Sequence, residues 1–126
     1  MAFKYVNLNP SQKIVGDCVV RAVAAATGEN WEKTYIALAF QGFLLKDLLN
    51  SDSVWGTYLL NSGFERHIIP DTCPSDCYTV ADFAMEHPTG TYVLGTGSHA
   101  VAVIDGKYMD VWDSGNTIPI YYYEKV

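Results

Sequence analysis

The chain has 126 residues, 49% of them apolar and 17% charged, a balance that fits one globular domain with a single hydrophobic core, residues 1–126. Eight Lys and Arg stand against 14 Asp and Glu, for a net charge of -6. No Lys/Arg cluster is available to neutralise phosphates, which excludes a nucleic-acid partner. The N-terminal Met-Ala-Phe-Lys-Tyr-Val-Asn lacks the apolar core of a signal peptide, and the longest apolar run, Cys18 to Ala26 with Arg21 inside it, is far short of the roughly 20 residues that cross a bilayer. The expectation is a soluble cytoplasmic protein with no membrane partner. Three cysteines, an odd number, argue against a disulfide framework and fit a reducing compartment, with Cys73 and Cys77 the only local pair.

Taken in order, the elements divide the chain into a helical first half and a strand-rich second half. Asp17 is a good N-cap for a helix running to Thr27, with Gly28 as its stop. Asn30 can cap a second helix from Trp31 to about Phe40, in which Trp31, Tyr35, Leu38 and Ala39 fall at helical spacing before Gly42 ends it. A turn over Leu44 to Leu49 leads to a third helix from about Ser53, carrying Val54, Tyr58 and Leu59 and closing at Gly63. Phe64 to Ile69 reads as a strand before Pro70. Thr79 with Asp82 makes a capping-box start for a short helix that ends near His87-Pro88. Strands follow at Thr91 to Gly95, His99 to Ile104 and Lys107 to Trp112, with Asp105-Gly106 as a hairpin turn between the last two. Ile118 to Tyr123 adds a final strand, which Pro119 places at a sheet edge. Helices first and an antiparallel sheet afterwards predict an α+β domain.

Four positions carry chemistry. Cys18 opens an apolar helix, where free backbone N–H groups and the positive end of the helix dipole stabilise a thiolate. His99 opens the strand His-Ala-Val-Ala-Val-Ile after Gly95-Thr-Gly97-Ser98, and imidazole is suited to taking a thiol proton near neutral pH. Small Ala100 and Ala102 allow that strand to lie tight against a helix. The hairpin at Asp105-Gly106 returns the chain beside His99, so a carboxylate on the returning strand can orient the imidazole. Two candidates exist. Strict register puts Asp110 on the His99 face, whereas Asp113 needs a bulge or a strand end. Gln12, six residues before Cys18, can offer a side-chain amide to an oxyanion beside the Cys18 N–H.

This order resembles that of the papain-like cysteine peptidases: Gln six residues ahead of a helix-opening Cys, His at a strand start, then Asp or Asn at the end of the next strand. His99-Ala-Val-Ala-Val resembles the strand around the family's histidine. Asp113-Ser114 resembles the Asn-Ser that closes its triad, which favours Asp113. An Asp before the Cys, an Asp as third residue and the short chain are most similar to the branch that processes bacteriocin leader peptides, and to small phage and bacterial proteins of Asp-Cys-x-x-Arg-Ala type. Val19-Val20 after the cysteine departs from the family pattern, and the chain is short for an extended substrate cleft. The resemblance implies a papain-like fold, with the nucleophile helix packed on a C-terminal antiparallel sheet. It implies Cys18 as nucleophile, His99 as base, Asp113 as orienter and Gln12 as oxyanion donor, with no metal or organic cofactor. The activity it implies is hydrolysis of a peptide or amide bond in a peptide or protein substrate, through a thioester. An acyl transferase or transglutaminase would use the same site, and the rival of another class is an inactive papain-like module that binds a partner protein, such as a phage-encoded inhibitor.

Other features read more simply. Cys73-Pro-Ser-Asp-Cys77 has a spacing that zinc tolerates, but no second ligand pair accompanies it, so a loop with two incidental cysteines is expected. Gly95-Thr-Gly97 lacks the Lys-Ser/Thr of a phosphate loop. Trp55, Trp112 and Tyr121 to Tyr123 are expected to pack in the core, with a groove lining as the alternative.

Overall fold

A computed structural model describes residues 2–126 as an α+β domain of four helices and one six-stranded sheet. In chain order the elements are β1 (Phe3–Tyr5), α1 (Cys18–Thr27), α2 (Trp31–Leu45), α3 (Asp52–Asn61), β2 (Phe64–Ile68), α4 (Val80–Glu86), β3 (Thr91–Gly95), β4 (Ala100–Ile104), β5 (Lys107–Asp110) and β6 (Tyr121–Lys125). The strands lie in the order β1-β5-β4-β3-β6-β2.

Alternation along the central strands divides the core into two layers. Val93, Ala100, Ala102, Tyr121 and Tyr123 face α1, α2 and α3, packing against Val19, Val20, Val23, Leu38, Trp55 and Leu59. Their neighbours Tyr92, Leu94, Val101 and Val103 face the other way, onto Val80, Phe83 and Ala84 of α4. This is the period of two that a strand buried on both faces requires. The small Ala100 and Ala102 let α1 lie directly on β4, which brings the start of that helix to the start of that strand.

Several local signals act as expected. Asn30 caps α2 by accepting from the Lys33 N–H, Gly28 ends α1 in the left-handed conformation, and Thr79 and Asp82 form a capping box on α4. The Asp105-Gly106 turn joins β4 to β5 in the two-residue register, with Ile104 opposite Lys107.

Tertiary packing changes four boundaries. Gly42 does not end α2, because the helix closes at Lys46 in the left-handed conformation (φ 58°) and the Asp47 carbonyl packs where a Gly42 side chain would stand. The last strand begins at Tyr121, after Pro119, so the missing proline N–H is never needed in the ladder. It therefore sits between β3 and β2 instead of at an edge. Phe3–Tyr5 adds an unanticipated strand parallel to β5, making the sheet mixed. Finally, β4 starts at Ala100 and β5 stops at Asp110, so His99 and Asp113 both lie just outside the ladder. Cys73 and Cys77, expected as incidental thiols, are joined as a disulfide.

Candidate functional site

The site lies where α1 begins. Cys18 is the first residue of α1, so its N–H and those that follow in the first turn have no intrahelical acceptor. It is half-buried and is the single free thiol among the described residues. His99 and the backbone of Ala100 lie beside its side chain, lining the same cleft, and both act on its titration.

His99 is held on both sides. Its Nε2 lies 2.6 Å from Oδ2 of Asp110, which leaves Nδ1 as the ring nitrogen for the thiol. Before it, the chain turns through Gly97 at φ +95°, in the left-handed region that favours glycine, and the Thr96 N–H closes the turn on the His99 carbonyl at 2.9 Å. The Trp112 ring lies against the imidazole, centroids 5.0 Å apart.

Asp110 is 1% exposed and accepts four hydrogen bonds. Oδ1 takes Arg21 Nη1 at 3.0 Å and the Val111 N–H at 2.8 Å, while Oδ2 takes His99 and the Ser114 hydroxyl at 2.8 Å. Arg21 also donates through Nε to Asp17 Oδ1 at 2.9 Å. Asp17 Oδ2 in turn accepts from Trp31 Nε1 at 3.0 Å and Asn9 Nδ2 at 3.3 Å. A buried carboxylate–guanidinium–carboxylate chain thus ties the residue before Cys18 to the residue that holds His99. Every charge in it is paired, the condition under which burial of ions is tolerated.

The electrostatics follow from these contacts. Burial pushes the Asp110 carboxyl up, but the hydrogen bonds from His99, Ser114 and Arg21 outweigh it and hold it below the usual carboxylate range. Burial by itself lowers His99, yet the bonds to Asp110 and Cys18 raise its pKa to about 9. Burial raises the Cys18 thiol, and the His99 bond, the Ala100 N–H and the charges of His99 and Arg21 bring it below its ordinary value. A lowered thiol beside a raised imidazole is the condition for a thiolate–imidazolium pair.

Of the sequence candidates, Cys18 and His99 come together. Asp113 does not join them. Its Oδ1 accepts from the Tyr108 hydroxyl at 2.6 Å and the Gly115 N–H at 3.0 Å, pinning the loop after β5. Because β5 ends at Asp110 without a bulge, Asp110 takes the position at His99, as strict register requires. Gln12 is also elsewhere: its Nε2 donates to the carbonyls of Asn7 and Asn9 within its own loop. Arg21, Asp17 and Asn9 were not among the candidates. A charged residue inside an apolar helix run was the available signal for Arg21.

A cleft of about 320 Å³ opens over Cys18 and His99, walled by Gly16, Val19, Asn50, Asp52, Trp55 and Ser98. Asn50 is the one side-chain amide in its lining. Two further depressions border the cleft. It shares Gly16 and Asn50 with a depression of about 430 Å³ that reaches Trp31 and Tyr35, and Asp52 and no other residue with one of about 260 Å³ that reaches Arg66. Three depressions thus border one another at Gly16, Asn50 and Asp52. A further depression of about 310 Å³ beside Tyr122 is apolar and has neither Cys18 nor His99 in its lining.

Comparison with protein-family models, with curated proteins and with solved structures found no match to this chain. Among the described residues, no helix is long and apolar enough to cross a membrane. The chain is thus an α+β domain in which Cys18 and a His99 hydrogen-bonded to Asp110 line one cleft.

Proposed function

We propose that this protein is a papain-like cysteine hydrolase that cleaves a peptide or amide bond, with Cys18 as nucleophile, His99 as acid and base, and Asp110 as the residue that orients His99. The observation that carries this reading is that Cys18 shares one cleft with a His99 whose Nε2 is held 2.6 Å from the buried Asp110 carboxylate. A structural cysteine has no need of an ion-pair partner, and a structural histidine has no need of a buried carboxylate beside a solvent cleft.

In the mechanism, the Cys18 thiolate attacks the substrate carbonyl carbon and forms a C–S bond. The Cys18 N–H at the start of α1 faces the developing oxyanion, and Asn50 in the cleft lining supplies a second donor in place of Gln12. Protonated His99 gives its proton to the leaving amine as the C–N bond breaks. His99 then takes a proton from water, whose oxygen attacks the thioester, and collapse of that intermediate releases the carboxylic acid and restores the thiolate with protonated His99. Asp110 stays ionised throughout. The two depressions that border the Cys18 cleft offer places for the substrate residues flanking the scissile bond.

The test needs no knowledge of the substrate. Iodoacetamide alkylation, followed by peptide mass from roughly pH 4 to 9, brackets an ordinary thiol of pKa about 8.5 and the acid-shifted values of activated ones. Rapid reaction of Cys18 below neutral pH, lost in His99→Ala, supports the ion pair and justifies screening peptide libraries for cleavage. Reaction only at the pH of an ordinary thiol would sink the enzyme reading and leave a binding module.

A further inference from the structure

Helix α2 presents an unusual outer face. Ile36, Phe40, Phe43 and Leu44 are 69%, 61%, 65% and 53% exposed, and Leu48 just beyond the helix is 72% exposed. Positions 36, 40, 43 and 44 follow the i, i+4, i+7, i+8 spacing of one stripe, so these side chains form a continuous apolar surface and are not scattered. The inner face of the same helix is already satisfied, with Leu38 and Thr34 buried against the domain. A helix that is apolar on both faces calls for a partner on the second one, because single-chain proteins rarely leave a contiguous patch of this kind in water.

The sequence of the stripe indicates which partner. Read about Phe40, it complements itself when reversed: Ile36 falls opposite Leu44, Phe40 opposite Phe40, and Phe43 opposite the small Ala37. The ends complement each other as well. The first turn carries Glu32, and the last is closed by Lys46, whose Nζ lies 4.2 Å over the Phe43 ring. Antiparallel apposition brings the Glu32 end of each helix to the Lys46 end of the other, two positions from exact register, and aligns the two helix dipoles favourably. Covering these five side chains on two copies removes roughly 1,200 Å² from water, where specific interfaces begin.

We propose that two copies of this chain pair through α2, antiparallel about a two-fold axis beside Phe40, in an isologous dimer. The interface is separate from the cleft at Cys18 and does not depend on the catalytic reading.

The test is sedimentation velocity with light scattering on the full chain, across roughly 1 μM to 1 mM. The expected result is a rise from the 14.0 kDa of one chain towards twice that mass. Phe40→Glu and Phe43→Glu should each stay at the single-chain mass where the unaltered protein is paired, with an unchanged circular dichroism spectrum. Ile68→Glu, at an exposed apolar residue outside the stripe, should pair as before. A single-chain mass across the whole range overturns the proposal. So does a dimer that persists in both phenylalanine variants, or one that Ile68→Glu alone abolishes.

Discussion

Arg21 Nη1 lies 3.0 Å from Oδ1 of Asp110, joining the second turn of α1 to the last residue of β5 across 89 positions of sequence. The same guanidinium holds Asp17, the residue before Cys18. One buried side chain therefore fixes the helix that Cys18 opens against the strand end that holds His99. It also shares the negative charge that His99 experiences.

Replacing Arg21 tests that double role. Without it the Cys18 thiolate loses a nearby positive charge, so the acid limb of alkylation moves to higher pH. Asp110 is then left to His99 with less of its charge neutralised, so the alkaline limb of hydrolysis also moves up. Arg21→Met should show both displacements, together with a loss of about 3 kcal/mol in denaturant unfolding from breaking a buried pair. A variant that loses stability while its pH limbs stay in place would reduce Arg21 to a structural tie.

Asp110 and Asp113 separate cleanly by substitution. Asp110→Asn removes the charge that holds the imidazolium and should lower the hydrolysis rate by about 10³-fold or more. Asp113→Asn should keep the rate within about tenfold and lower stability by about 1 kcal/mol, since it weakens the Tyr108 and Gly115 bonds only. Steady-state kinetics with parallel melting curves would check both. The opposite ranking would return Asp113 to the triad.

The two reactions of Cys18 should differ in pH profile. Alkylation needs the thiolate alone, so it rises through the lowered thiol pKa and then stays high. Hydrolysis also needs the His99 proton, so kcat/KM should form a bell whose upper limb falls near pH 9. For stability the sign is that of a raised group. The contribution of protonated His99 is complete below its ordinary pKa of about 6.5 and is lost as pH rises through about 9. Comparing unfolding of the native protein and His99→Ala over that window checks the sign.

Gln12 and Asn50 make a third contrast. Gln12→Ala should leave hydrolysis within about tenfold, because its amide is committed to the Asn7 and Asn9 carbonyls. Asn50→Ala should lower kcat by about 10² while KM changes little, as expected for a donor used in the transition state. Equal, negligible effects from both would place the second oxyanion donor elsewhere.

What could be read along the chain was what short-range physics fixes. Asp17 and Cys18 marked the start of α1, Asn30 and the Thr79–Asp82 box marked two more helices, and Asp105-Gly106 set the hairpin that folds β5 back beside β4. Those signals depend on a few neighbouring residues and their backbone preferences. They were enough to bring Cys18 and His99 forward as candidates and to predict an α+β domain.

The rest depended on where each element stops and what it meets. Whether Asp110 or Asp113 reaches His99 turns on β5 ending at Asp110, and on the Tyr108 hydroxyl and the Gly115 N–H that hold Asp113. Gln12 was placed by the carbonyls of its own loop, not by its distance from Cys18 in sequence. The parallel pairing of Phe3–Tyr5 with β5, and the ion chain from Asp17 through Arg21 to Asp110, join segments about 90 residues apart or more. Sequence alone determined most of the elements and brought Cys18 and His99 forward as candidates. Only the tertiary structure decided which carboxylate meets His99 and the charge network behind it, because a buried charge takes its partner from whatever packing brings within hydrogen-bond reach.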